Sequence, residues 1–130
     1  MTPSAPRPGY VGDVETDLET IRLWTSSARR AADRWMQGLL GVRGAQQLVD
    51  EALSELRRVC LELEKLDDLE LSICVWEAIL VVVHLHGSLG SDDRRIVHTA
   101  SVLLAIRERA LDRRIEEWKP AIIHDRRIAA

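Results

Sequence analysis

Residues 64–87 read EKLDDLELSICVWEAILVVVHLHG, and the fold turns on what happens at Asp67 and Asp68. Upstream of them, Ala45, Val49, Ala52, Leu56, Val59, Leu63 and Leu66 follow one another in alternating steps of four and three, the spacing of one face of an amphipathic helix. The opposite face carries Asp50, Glu51, Glu55, Arg57, Arg58, Glu62 and Glu64, a mixed-charge surface suited to water. If that helix continued unbroken, its apolar stripe would next use Glu70, Ile73, Glu77, Leu80 and His84. Three of these five ionise, and burying two carboxylates and an imidazole without partners is costly. Either the chain breaks here or the interior holds a polar site. Asp67 and Glu70 have the spacing of a capping box, with Asp in place of Ser or Thr, so the sequence predicts a break and a change of direction.

Working outward, the third segment is predicted as a helix from Leu69 to His86 that ends at Gly87, with Ser88, Leu89 and Gly90 as a short connection. Val81, Val82 and Val83 would also suit a strand, but no second strand candidate exists to pair with it. Ser91, Asp92 and Asp93 supply a cap and acidic start for a fourth helix ending near Lys119, before Pro120. Its face is Val97, Ala100, Leu104, Leu111, Ile115 and Trp118. A first helix begins near Asp13 and places Val14, Leu18, Ile21, Ala28, Ala32, Trp35 and Leu39 at helical intervals, with Gly38, Gly41 and Gly44 marking the turn after it. The expected fold is all-α, an antiparallel up-down four-helix bundle over residues 13–119, with a Pro-rich N-terminal lead (1–12) and a short C-terminal tail (120–130).

Composition is consistent with this and narrows the function. A chain of 130 residues builds one domain, and with four Trp, one Tyr and no Phe its core must be mainly aliphatic. A net charge of −3 argues against a protein that coats nucleic acid, where affinity comes from neutralising many phosphates. Basic residues are 16 Arg against 2 Lys, a bias that codon usage in a GC-rich genome explains. The segment from Arg107 to Arg127, with Arg113 and Arg114 at its centre, is the best local nucleic-acid candidate, yet it interleaves acids and has only Trp118 for stacking. Cys60 and Cys74 lack the spacing of a zinc or redox pair, which suggests a reducing compartment, and Met1 to Gly12 lack the apolar stretch of a secretory signal. The run from Leu69 to Leu85 is interrupted by Glu70, Glu77 and His84 and is short for a membrane span. A cytoplasmic protein without a membrane segment is the expectation.

Between Leu69 and His86, 13 of 18 residues are apolar, more than one core-facing stripe requires. That surplus predicts an interaction surface, in the simplest case a two-fold homodimer joined by the third helix through Val75, Trp76, Ile79, Val82 and Val83. In such a dimer, replacing Val82 with Glu separates the copies. Trp24 and Trp35, eleven residues apart beside Ala28 and Ala31, are further anchor candidates. The competing reading is a metal or acid-base site on the ridge Glu70, Glu77 and His84, but neighbours seven residues apart are about 10 Å apart along a helix and need another helix to complete a site. His84, His86 and His98 near the turn between the third and fourth segments are read as solvent-facing or capping groups. No glycine-flanked nucleophile and no phosphate-cradling loop occur. The sequence therefore predicts a non-catalytic helical interaction module, an assembly factor, adaptor or regulatory inhibitor, with a protein partner and without a cofactor.

Overall fold

Asp13 opens the first helix by accepting the Glu15 amide on its side chain (3.1 Å), which satisfies one of the amides a helix start leaves unpaired. From there a computed structural model describes residues 13–129, and their side chains apart from those of 121 and 124–129. The expected lead, 1–12, lies outside the described residues. Four helices follow: α1 (Val14–Met36), α2 (Val42–Leu63), α3 (Leu69–Ser91) and α4 (Arg94–Ala129), with one 3₁₀ turn at Glu64–Leu66 between α2 and α3. Each helix packs on the next in sequence and α1 closes on α4, which gives a four-helix bundle.

The core stripes of α2 and α4 lie where the sequence puts them. Ala45, Val49, Ala52, Leu56, Val59, Leu63 and Leu66 are all buried, as are Val97, Ala100, Leu104, Leu111, Ile115 and Trp118. Among the described aromatics only Trp118 is fully enclosed, so the interior is aliphatic around one indole. At the end of α1 the backbone makes a paired stop: Gly38 donates to the Trp35 carbonyl (3.0 Å) and Leu39 to that of Arg34 (2.9 Å). Gly38 takes the left-handed conformation this requires (φ +74°). Leu39, expected on the inner face, follows that turn and is exposed.

Two boundaries differ from the sequence reading. α3 does not end at Gly87 but continues to Ser91, because Leu85, Ser88 and Leu89 form one more buried turn. The Ser88 hydroxyl returns to the His84 carbonyl (2.8 Å). Left-handed Asp92 (φ 56°) stops the helix, and Asp93 caps α4 through the Arg95 amide (2.9 Å). α4 does not end before Pro120 but runs through it to Ala129, so the expected tail begins as helix. Proline there removes the donor for the Glu116 carbonyl, a cost of about 3 kcal/mol in a helix interior. Packing on both sides opposes that cost: Trp118 is buried and Ile122 lies against the core.

The break between α2 and α3 occurs as predicted, with α3 starting at Leu69, but its cap is one residue later than the capping-box spacing suggests. Asp67 is left-handed (φ 54°) and Asp68, not Asp67, caps α3, with Oδ1 accepting the Leu71 amide (3.0 Å). Asp68 Oδ2 accepts from Arg114 Nε (3.0 Å) and Nη2 (2.9 Å) and from Trp118 Nε1 (2.7 Å). The carboxylate and guanidinium are 6% and 4% exposed, so this ion pair is inside the protein. Arg114 also pairs with Glu70 (3.3 Å) and with Glu117. Burial by itself would raise the Asp68 pKa, but the hydrogen bonds from Arg114, Leu71 and Trp118 outweigh it and hold the carboxyl below its usual range.

Asp68→Ala removes the cap and leaves a buried guanidinium without its central partner. It should lower the unfolding free energy by about 3–5 kcal/mol in urea titration. Because the folded-state pKa is depressed, the contribution of Asp68 is complete above the unfolded value near 4 and fades as pH falls through the folded one. Unfolding titrations below pH 5 should show a steeper acid-dependent loss of stability in the wild type than in Asp68→Ala, the difference being the share of Asp68.

Candidate interaction surface

The break at Asp67 and Asp68 rotates the inner face of α3 relative to that of α2. Leu71, Val75, Ala78, Ile79, Val82, Leu85 and Leu89 turn inward and are buried. The in-phase continuation, Glu70, Ile73, Glu77, Leu80 and His84, turns outward. What remains of the apolar surplus is a second stripe: Leu69 (76% exposed), Ile73, Trp76, Leu80 (64%) and Val83, spaced four, three, four and three residues apart. It covers roughly 21 Å of helix. Trp76 is steadied at its edge, with Nε1 donating to Glu64 Oε1 (3.2 Å).

α4 extends this surface. Arg107 reaches Glu77 (2.6 Å) and Arg114 reaches Glu70 (3.3 Å), so seven residues forward on α4 correspond to seven back on α3. In that register Leu103, one turn before Arg107, is level with Leu80 and Val81, and Ile96 is level with Gly87 and Ser88. Ile96, Leu103 and Ile106 are exposed. The outer side of the α3–α4 pair therefore carries apolar side chains on both helices with the Glu77–Arg107 pair between them. α3 is also long and apolar enough to cross a membrane by length and composition, with a mean hydropathy of 1.7 over its most apolar window.

The residues predicted from sequence divide between surface and core. Trp76 and Val83 are on the exposed stripe. Val75, Ile79 and Val82 are not available to a partner, because each is 2% exposed or less within the core of this chain. Trp24 and Trp35 are half-buried against the core, and Ala28 and Ala31 beneath them are enclosed. Leu69, Ile73, Leu80 and the α4 residues were not among the candidates. Their signal was present: once the inner stripe of α3 is fixed by the break, the apolar residues left over fall on one outer line.

The polar candidates on the outer ridge of α3 have separate partners. Glu70 and Glu77 are engaged separately by Arg114 and Arg107, and His84 is exposed on the same outer ridge. Among the described residues no three His, Cys, Asp or Glu side chains converge on a metal-sized space. Both thiols are free, and burial raises the pKa of each, that of Cys60 to about 11, so neither is a ready thiolate near neutrality. Between α1 and α4 lies an open groove whose charged walls are cross-linked by Arg29 with Glu108 and Arg22 with Asp112 (3.1 Å), and beside it Asp33 accepts from Arg29 and from Ser101 (2.9 Å). Burial raises the Glu108 carboxyl while Arg29 pulls it down. Of the arginines named for nucleic-acid contact, Arg113 is exposed but Arg114 is committed to the interior. No family model, curated protein or solved structure matches this chain.

Two neighbouring substitutions separate core from surface. Val82→Glu puts an unpaired carboxylate into the core and should cost about 4 kcal/mol or more, with loss of the cooperative thermal transition. Leu80→Glu, two residues away on the exposed stripe, should change monomer stability by no more than about 0.5 kcal/mol. Circular dichroism melts of the two variants check this contrast.

Proposed function

We propose that this chain is a non-catalytic helical interaction module of the cytoplasm that self-associates through the outer faces of α3 and α4. The observation that carries this reading is the line of large apolar side chains Leu69, Ile73, Trp76, Leu80 and Val83, exposed at the spacing of a helix-packing seam. Scattered apolar side chains on a surface are ordinary, whereas five in one register leave an elongated apolar ridge in water.

Size indicates how such a surface would be used. Stable interfaces bury about 800 Å² on each partner, more than one helical ridge of this length provides. Ile96, Leu103 and Ile106 widen the ridge into a two-helix face, and the Glu77–Arg107 pair crosses it as a polar element. Two such faces together would form a four-helix contact between copies.

Sedimentation equilibrium at micromolar concentration should give twice the 14.7 kDa chain mass. Leu80→Glu should weaken that association at least tenfold, about 1.4 kcal/mol, while keeping the helical spectrum. A wild-type chain that remains at the monomer mass throughout the concentration range overturns the proposal.

A further inference from the structure

We infer that two copies join with their α3 helices antiparallel, so that Glu70 of each faces His84 of the other and the two Glu77–Arg107 pairs meet at the two-fold axis. This rests on the self-association proposed above and specifies its geometry. The apolar stripe alone does not choose a direction, since alternating steps of four and three form a packing seam in either orientation. The groups beside it do. Glu70 and Glu77 flank the stripe on the α4 side, where Arg114 and Arg107 hold them, and His84 continues that ridge. On the α2 side the flank is Ser72 and His86, the latter 3.7 Å from Asp50.

In an antiparallel pair each ridge meets its own copy. Glu70 then lies opposite His84 at both ends, an acid against an imidazole that can donate to it. At the centre Glu77 approaches the second Glu77, and the Arg107 already bonded to each supplies the compensating charge. The same register sets Trp76 against Leu80, Ile73 against Val83, and Leu69 against Gly87. Gly87 is suited to that neighbour: a Cβ there would meet nothing within 4 Å, so the site is open. In the parallel alternative the α4-side ridge meets the α2-side ridge, which sets Glu77 beside Ser72 and His84 beside Ile79. No opposite charges are matched, and the two Gly87 positions face each other across a gap. Electrostatic and shape matching of this kind selects orientation even where it adds little affinity.

Disulfide trapping tests the register. In a Cys74→Ser background, with Cys60 retained because it is 2% exposed, Ile73→Cys and Val83→Cys are prepared separately, oxidised alone and oxidised as a mixture. The expected result is a 73–83 mixed disulfide, with little 83–83 product. Position 83 lies opposite 73, so the two residues 83 are about 15 Å apart along the axis, beyond the reach of a disulfide near 7 Å between Cα atoms. Efficient 83–83 linkage overturns the antiparallel register and leaves self-association standing. A monomer mass for the Cys74→Ser protein, with no linkage in any sample, overturns both. So does a monomer that binds phosphatidylcholine vesicles through α3, which would make a bilayer the occupant of this face.

Discussion

The buried carboxylate of Asp68 is the constraint on which the arrangement depends. One side chain stops the register of α2, starts α3 by capping Leu71, and reaches across to Arg114 and Trp118 of α4. An ion pair this deep is not favourable because it is charged; desolvation of both groups opposes it, and a well-packed apolar replacement could be as stable. Its value lies in specifying one arrangement. With Oδ1 committed to a helix start and Oδ2 to two donor side chains on another helix, sliding α3 by one residue would leave a cap, a guanidinium and an indole N–H unpaired together. The enclosed Trp118 gains its polar partner from the same atom, which is how the largest buried side chain can sit in an aliphatic core.

This constraint has a consequence on the far side of α3. Fixing which residues turn inward also fixes which turn outward, and in a helix so rich in apolar residues both sides are hydrophobic. The charged face of α2 and the apolar outer face of α3 thus follow from one sharp turn. Had α2 continued in phase, Glu70, Glu77 and His84 would have been interior and the valines of α3 would have been divided differently. The rotation exposes the ionisable ridge and lets arginines of α4 engage its two acids, while Leu69, Ile73, Trp76, Leu80 and Val83 remain in water.

Much of the fold was legible because it depends on period alone. The stripes of α2 and α4, the Asp13 cap and the break before α3 follow from spacing, caps and the cost of burying carboxylates. The parts that were not legible depend on tertiary partners. Nothing near Asp68 in sequence announces Arg114, 46 residues away, so the aspartate reads only as a cap. Gly87 reads as a stop, yet Leu89 needs another helical turn to reach the core. Pro120 reads as an end, yet Trp118 and Ile122 on either side are held by packing. On α3 the apolar excess was visible but its division was not: Val75, Ile79 and Val82 look like Ile73, Leu80 and Val83 until the turn fixes the phase.

An apolar ridge of this kind also couples stability to association. The inner stripe of α3 is held by the monomer, so the fold does not require a second copy to bury it, and the outer stripe stays partly in water, tied to the monomer at Trp76 through Glu64. If copies pair through that stripe, only the folded chain presents it in one register, and the folded state gains stability with protein concentration by mass action. The unfolded chain has the same residues but not the ridge. The position of Asp68 then matters at two levels, since the side chain that sets the phase of α3 also determines whether five apolar residues form one continuous line or are scattered around the helix.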